Sequence, residues 1–399
     1  MRDLQHLLFF ENMLQEANNE LVQRACGEGR LALAYNCCYI PEVLLDVEGC
    51  FGVRLRAPRC TNPDLATYYM TNRSCPYSKS ILERAFEGGY NFIDALMGQE
   101  CCTTMNRMEQ YFAYCKLIPK EKFFVSFLDM PLKKTEWHAG YYRRQIEKKV
   151  IQPLEKTYGV DFSEGKLRAV IEQHNELCRI ITELGNFRKL DNPPITGYEF
   201  HVIQLVTLTC PKDMILPYLR ETLEEVRNRE PDPRPAYRAR VMVVGSEIDD
   251  PDFTKLLEGC GAYVVADRYC FGSIPGRQEI VLEDGKDILQ SVADHYMYGN
   301  QCPRAMGSEN IVARKQFLYG IAKEYRADGI IAENMKFCEY WGYERAQVAQ
   351  WMSEGFNVPK PIPVCQIEKD YTNAATGQLR TRFQAFVESL EIKRIQSGT

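Results

Sequence analysis

Six cysteines stand where an α/β protein keeps its chemistry. Cys37 and Cys38 are adjacent, Cys101 and Cys102 are adjacent, Cys75 lies in the loop RSCPYSKS, and Cys338 follows GIIAENMKF. Thiolates serve as nucleophiles, redox groups or ligands for soft and borderline metals, so spacing must discriminate. Structural zinc is announced by C-x₂₋₄-C knuckles, and the chain has none. Its five histidines, His6, His138, His174, His201 and His295, are not spaced for hydrolytic zinc. Ferredoxin-type C-x₂-C-x₂-C runs are missing as well, so an iron–sulfur cluster must gather ligands from far apart in sequence. Disulfide exchange favours C-x-x-C over adjacent cysteines. By elimination a buried iron–sulfur site in a cleft between domains is the leading reading, with zinc and thiol redox chemistry as rivals.

The chain holds 16 cysteines in 399 residues, about 4%, well below the ~8–10% of a disulfide scaffold. Cys26, Cys50, Cys60, Cys115, Cys178, Cys210, Cys260 and Cys365 lie inside or beside apolar periodic segments and read as small buried hydrophobes. Cys270 (DRYCFGS) and Cys302 (NQCPRAM) are intermediate, and read more readily as buried thiols than as ligands.

The elements that must position these groups alternate. Residues 1–30 read as an amphipathic helix. LALAY (31–35), FGVRL (51–55), NFIDALM (91–97) and FFVSFLDM (123–130) read as strands, with helices over 41–48, 77–86 and 105–115. From about Trp137 to Arg229 the chain is long, charged and periodic at 3.6 residues, and PDPRPAYR (231–238) reads as a linker. The alternation then returns: strands RVMVVGS (240–246), AYVVADR (262–268), GIIAENM (329–335) and IPVCQIE (362–368), with helices over 251–259, 310–326, 343–354 and 376–391. The fold class expected is α/β, two doubly wound parallel-sheet domains joined by a helical region. The boundaries are an N-terminal helix at 1–30, a first α/β domain at 31–135 carrying most of the cysteines, a helical region and linker at 136–235, and a second α/β domain at 236–399. In open sheets of this kind ligands bind beyond the carboxyl ends of the strands. Five of the six cysteines sit at that edge. The sixth, Cys75, opens a helix whose N-terminus favours an anionic thiolate.

Composition excludes several classes of function. Hydrophobic residues make up 45% and charged residues 26%, the ordinary globular range. The net charge of −5 gives no electrostatic footprint for nucleic acid or an anionic membrane. No apolar run approaches the ~18 residues of a membrane span. The opening MRDLQHLLFFENMLQEANNE lacks the pattern of a signal peptide, so the expected location is the cytoplasm.

Other motifs carry less. There is no G-x-x-x-x-G-K-[ST], so no P-loop. GSEIDD (245–250) lacks the dinucleotide fingerprint, and its acidic residues read as helix-capping groups. FGSIPGR (271–277) reads as an ordinary turn. Glu333 and Glu339 flank Cys338 and, with Tyr340, are candidate proton donors beside a cluster.

The segments CPYSKSILERAFEGGYNFIDALMGQECCTTMNRM (75–108), VVGSEIDDPDFTKLLEGCGAYVVADRYCFGS (243–273) and DGIIAENMKFCEYWGYE (328–344) resemble the 2-hydroxyacyl-CoA dehydratases and benzoyl-CoA reductases, anaerobic enzymes with cubane iron–sulfur clusters. The resemblance runs from about Asn36 to the C-terminus outside the helical middle. It implies thiolate ligands at Cys75, Cys102 and Cys338. A single cysteine at the second site is usual in the dehydratases, whereas this chain has Cys101–Cys102 and adds Cys37–Cys38. That is similar to the double-cubane branch, in which two [4Fe–4S] cubanes share a bridging sulfide ([8Fe–9S]). Six thiolates give three per cubane, and the shared sulfide completes one iron of each. The resemblance therefore implies a reductase of small molecules, supplied with electrons by a separate iron–sulfur ATPase activator. Because one chain carries all six ligands and closed two-fold dimers are the commonest assembly, a homodimer is expected. A single-cluster dehydratase subunit and a cluster carrier without substrate chemistry are the alternatives.

Overall fold

The computed structural model describes residues 2–100, 102–232, 236–273, 278–353, 360–372 and 376–397. Eight strands form two all-parallel sheets. The first contains β1 (Leu31–Tyr35), β2 (Cys50–Arg54), β3 (Ala95–Gln99) and β4 (Phe124–Leu128) in the order β2-β1-β3-β4. The second contains β5 (Ala239–Gly245), β6 (Ala262–Tyr269), β7 (Gly329–Met335) and β8 (Val364–Lys369) in the order β6-β5-β7-β8. Interior strands β3, β5 and β7 are buried along their whole length, and β1 at all but its first residue, as expected for sheets covered on both faces. Edge strands β4 and β8 are partly exposed. The expected fold class, α/β with two parallel-sheet domains, is the observed one.

Both sheets follow the same winding. The chain leaves a central strand for one edge, then returns to the other side of that strand. Each sheet therefore has a switch point, between β1 and β3 and between β5 and β7, where successive connections diverge and leave a crevice.

The helical middle does more than join the sheets. Helix Gly197–Thr209 contacts β2 of the first sheet and β6 of the second, and all but one of its residues are buried. That position explains a sequence apolar all round. Its start is fixed by a capping box between Thr196 and Glu199. A Cβ on Gly197 would stand 2.7 Å from the Val264 Cβ, so only glycine lets the helix approach β6 this closely.

Several boundaries differ from those expected. The first thirty residues form two helices, Leu7–Met13 and Glu20–Gly27, because buried Asn19 accepts from the Val22 amide and caps the second. The strand expected at 91–97 is Ala95–Gln99. Asn91 and Ile93 belong to the preceding turn, bonded to Gly88 and Tyr90, and Asp94 is spent on the Ala32 amide and Lys120. Helices expected from Met105 and Tyr343 begin earlier, at Thr103 and Glu339, immediately after cysteines. Helix Ile288–Tyr298, not expected from the sequence, packs on helix Glu136–Ile146.

Candidate metal centre between the two sheets

The carboxyl ends of both sheets open on one cavity of about 310 Å³. Seven cysteines line it: Cys37, Cys38, Cys75, Cys102, Cys270, Cys302 and Cys338. Five of the six expected site cysteines are thereby brought together, and Cys101 lies outside the described residues. None of the eight cysteines read as packing residues lines the cavity.

Three of the thiols share one local construction. Cys75 precedes helix Pro76–Phe86, Cys102 precedes helix Thr103–Tyr114, and Cys338 precedes helix Glu339–Trp351. A helix N-terminus presents free amides and the positive end of its dipole, both favourable to an anionic sulfur. The amides of Tyr77 and Ser78 donate to the Cys75 sulfur, and that of Trp341 to the Cys338 sulfur. Cys102 Sγ lies 3.3 Å from Thr104 Oγ1. Pro76 at the first helical position fits its helix start, where an amide hydrogen is not needed. Before Cys338 the chain turns sharply. Phe337 takes a left-handed φ of 61°, uncommon for a bulky residue and a mark of local strain.

The other thiols approach by different routes. Past β1 the alternation of the strand ends in a turn, closed by the Ile40 amide on the Cys37 carbonyl, and both Cys37 and Cys38 reach the cavity. Cys270 directly follows β6. Cys302 comes from the loop after helix Ile288–Tyr298. Asn300 ties this group together: its Nδ2 donates to the Cys38 carbonyl at 3.1 Å, and its Oδ1 accepts from the Cys302 amide at 2.9 Å.

The electrostatics around the sulfurs combine deep burial with positive charge on one side. Burial pushes the Cys75 thiol up to about 12, with repulsion from Cys102 adding to it. Burial likewise raises Cys338 and Cys270, reinforced by Cys75 and by Glu247 respectively. Reactive cysteines have lowered values, whereas burial raises those of Cys75, Cys338 and Cys270. All described cysteines are free. Metal binding deprotonates such thiols outright. Around Cys302 positive charge is in excess. Arg268 and Arg314 share the single carboxylate of Glu344, Arg268 keeps Nε and Nη1 without a hydrogen-bond partner, and Lys134 donates to the Asn300 carbonyl.

Among the described residues, no three Cys, His, Asp or Glu side chains gather tightly enough to hold a single metal ion. The thiols instead ring a cavity, as suits a group in which each iron takes its own thiolate. On donor chemistry, helix N-termini and the positive charge around Cys302, the residues present fit an iron–sulfur group.

The carboxylates divide differently from expectation. Glu339 and Tyr340 line the cavity. Glu333 is buried off it, accepting from the Ser246 amide at 2.8 Å and hydroxyl at 2.9 Å and packing against Gly245. Glu247 and Asp249, read from sequence as capping groups, are buried instead. Glu247 lines the cavity, 3.4 Å from Arg54, and Asp249 accepts from Tyr371 at 2.5 Å. In FGSIPGR, Phe271 packs under Arg54, whose guanidinium carbon stands 4.0 Å from the ring centroid; 274–277 lie outside the described residues. Cys270 carried a usable signal, since it ends a strand at the same edge as the others. Cys302 carried none without the helix that delivers it.

The family model for the 2-hydroxyglutaryl-CoA dehydratase D-component matches residues 37–390. The chain belongs to this family. It is similar to proteins whose own lengths it largely spans. The (R)-phenyllactyl-CoA dehydratase beta subunit of Clostridium sporogenes is 24% identical over 96% of this chain and 97% of its own. The (R)-2-hydroxyglutaryl-CoA dehydratase beta subunit of Acidaminococcus fermentans is 22% identical over 91% and 93%. A benzoyl-CoA reductase subunit of Thauera aromatica is 19% identical over 80% of each chain. The match begins at Cys37 and so spans both sheets' contributions to the cavity from that residue on. No helix among the described residues is long and apolar enough to cross a membrane.

Proposed function

We propose that this family member is an ATP-coupled anaerobic reductase that reduces a small molecule at a double-cubane iron–sulfur cluster held by Cys37, Cys38, Cys75, Cys101, Cys102 and Cys338. The observation that carries the reading is the convergence of thiols from both sheets on one cavity, three of them at helix N-termini. When bound, such a cluster supplies electron transfer at low potential. The chain's own residues supply the rest. Buried Trp341 and Met105 help to keep water from the cavity, and Arg73 and Arg304 can hold an anionic substrate group. Glu339 and Tyr340 stand at the lining as proton carriers, and Glu247, which burial pushes up to about 7, adds a third.

Electrons for so reducing a centre lie uphill from ordinary donors. For one electron each 59 mV is a tenfold penalty, so a gap of several such steps calls for coupling to ATP. The chain carries no P-loop, which supports a separate ATP-hydrolysing iron–sulfur activator as partner. A homodimer in the cytoplasm completes the reading.

The relatives support a second reading: a single-[4Fe–4S] subunit of a 2-hydroxyacyl-CoA dehydratase, working beside a different chain. Iron and acid-labile sulfide per chain after anaerobic purification separate the two. About eight irons are expected for two cubanes. About four would favour the dehydratase, and zinc with negligible iron would remove both.

A further inference from the structure

We propose that Cys302, in place of Cys101, is a ligand, so that Cys37, Cys38 and Cys302 form one three-thiol seat facing a second made of Cys75, Cys102 and Cys338. The inference rests on the reading that the cavity holds a two-cubane group. The cavity thiols divide into these sets by their surroundings. Cys75, Cys102 and Cys338 all line the cavity, and each immediately precedes a helix. On the other side Cys37 and Cys38 are adjacent past β1, and Cys302 reaches the same wall of the cavity through an asparagine bonded to both Cys38 and Cys302.

Asn300 makes this second set a built feature rather than a chance approach. It bonds the backbone on both sides of the pair, to the Cys38 carbonyl and from the Cys302 amide, with its Oδ1 3.7 Å from Cys38 Sγ. The Arg304 amide donates to the Cys302 sulfur, the kind of outer contact that orients and tunes a ligand. Cys270 is the natural control. It lines the same cavity, but its carbonyl is held by Arg54 at 2.6 Å and its thiol donates to Glu247, which occupies it elsewhere. Six thiols, three per seat, are then supplied without Cys101.

The test is iron content and the electron paramagnetic resonance spectrum of dithionite-reduced, anaerobically purified protein. The variants are Cys302→Ser, Cys38→Ser, Cys338→Ser, Cys270→Ser and Cys101→Ser. C302S and C38S should each lose about half the iron, the double C38S/C302S no more than either alone, and C302S/C338S nearly all of it. C270S and C101S should keep the wild-type iron and spectrum. Wild-type iron in C302S overturns the proposal, as does half-loss in C101S. A C302S chain that fails to fold where C338S folds also counts against it, because loss of one ligand must leave the two alike. About eight irons in the wild type with no loss in C302S would sink this inference alone, whereas about four in the wild type would sink the two-cubane reading with it. No iron would sink the functional reading beneath it.

Discussion

Arg54, at the end of β2, reaches across to Glu247, beyond the end of β5, and the two form a buried ion pair at 3.4 Å that links the two sheets under the cavity. The same guanidinium donates to the Cys270 carbonyl and the Asn36 carbonyl and covers Phe271. One side chain thus fixes the loops after β1, β5 and β6 relative to one another. Its neighbour Arg56 repeats the device, donating to the carbonyls of Asp249 and Leu14.

Breaking this pair from one side leaves a buried carboxylate without compensation. Arg54→Met should therefore cost about 3–5 kcal/mol, whereas R54M combined with Glu247→Leu should recover part of the loss. Urea unfolding of the anaerobic protein measures both. Equal losses in the single and double variants would mean that the carbonyl bonds of Arg54, and not its charge, hold the sheets.

Cys75→Ala and Cys338→Ala should each lose bound iron and bleach the sulfur-to-iron absorbance. Cys365→Ala, on the edge strand β8, should keep its iron and cost on the order of 1 kcal/mol. The same iron loss in all three would point to damage to the fold.

Acid should destabilise the chain through its buried histidines. Burial pulls His201 down to about 4; one ring nitrogen lies 2.8 Å from Thr254 Oγ1 and the other 3.2 Å from the Ile248 carbonyl. The unfolded state, with a value near 6.5, takes up a proton first as pH falls. The stabilising contribution is complete above about pH 6.5 and is lost on the way down to 4, roughly 2 kcal/mol of it by pH 5. His201→Gln should show a correspondingly shallower loss between pH 7 and pH 5 in urea titrations. Parallel pH profiles would exclude His201 as the cause.

Multiple-turnover reduction of a small unsaturated substrate should need the activator and ATP together. The comparison is protein alone with a chemical reductant, protein with activator, and both with ATP. Sustained turnover by the isolated protein at the full rate would refute ATP coupling.

Sedimentation should give a two-fold homodimer, the commonest closed assembly. An obligate complex with a second, homologous chain would instead favour the dehydratase reading.

The strands, the two α/β halves and the edge on which chemistry collects were legible from the residues alone. Continuous apolar runs such as LALAY and GIIAENM mark doubly covered parallel strands, and the switch-point rule then selects their carboxyl ends. That Cys102 and Cys338, like Cys75, begin helices was not legible. Helix starts depend on capping that outweighs propensity, and the apolar periodicity begins only at Met105 and Tyr343. Glu247 read as a capping group because its partner, Arg54, lies 193 residues away, and a buried ion pair has no local signature. For the same reason Glu333, adjacent in sequence to the site, proved to be held by Ser246 away from the cavity. Cys302 shows the limit most sharply: its place beside Cys38 is set by a hydrogen-bonded asparagine and a helix packed on the distant segment Glu136–Ile146. Sequence alone determined which groups stand at which strand ends. Only the tertiary structure, by bringing two switch points face to face, decided which of them share one cavity.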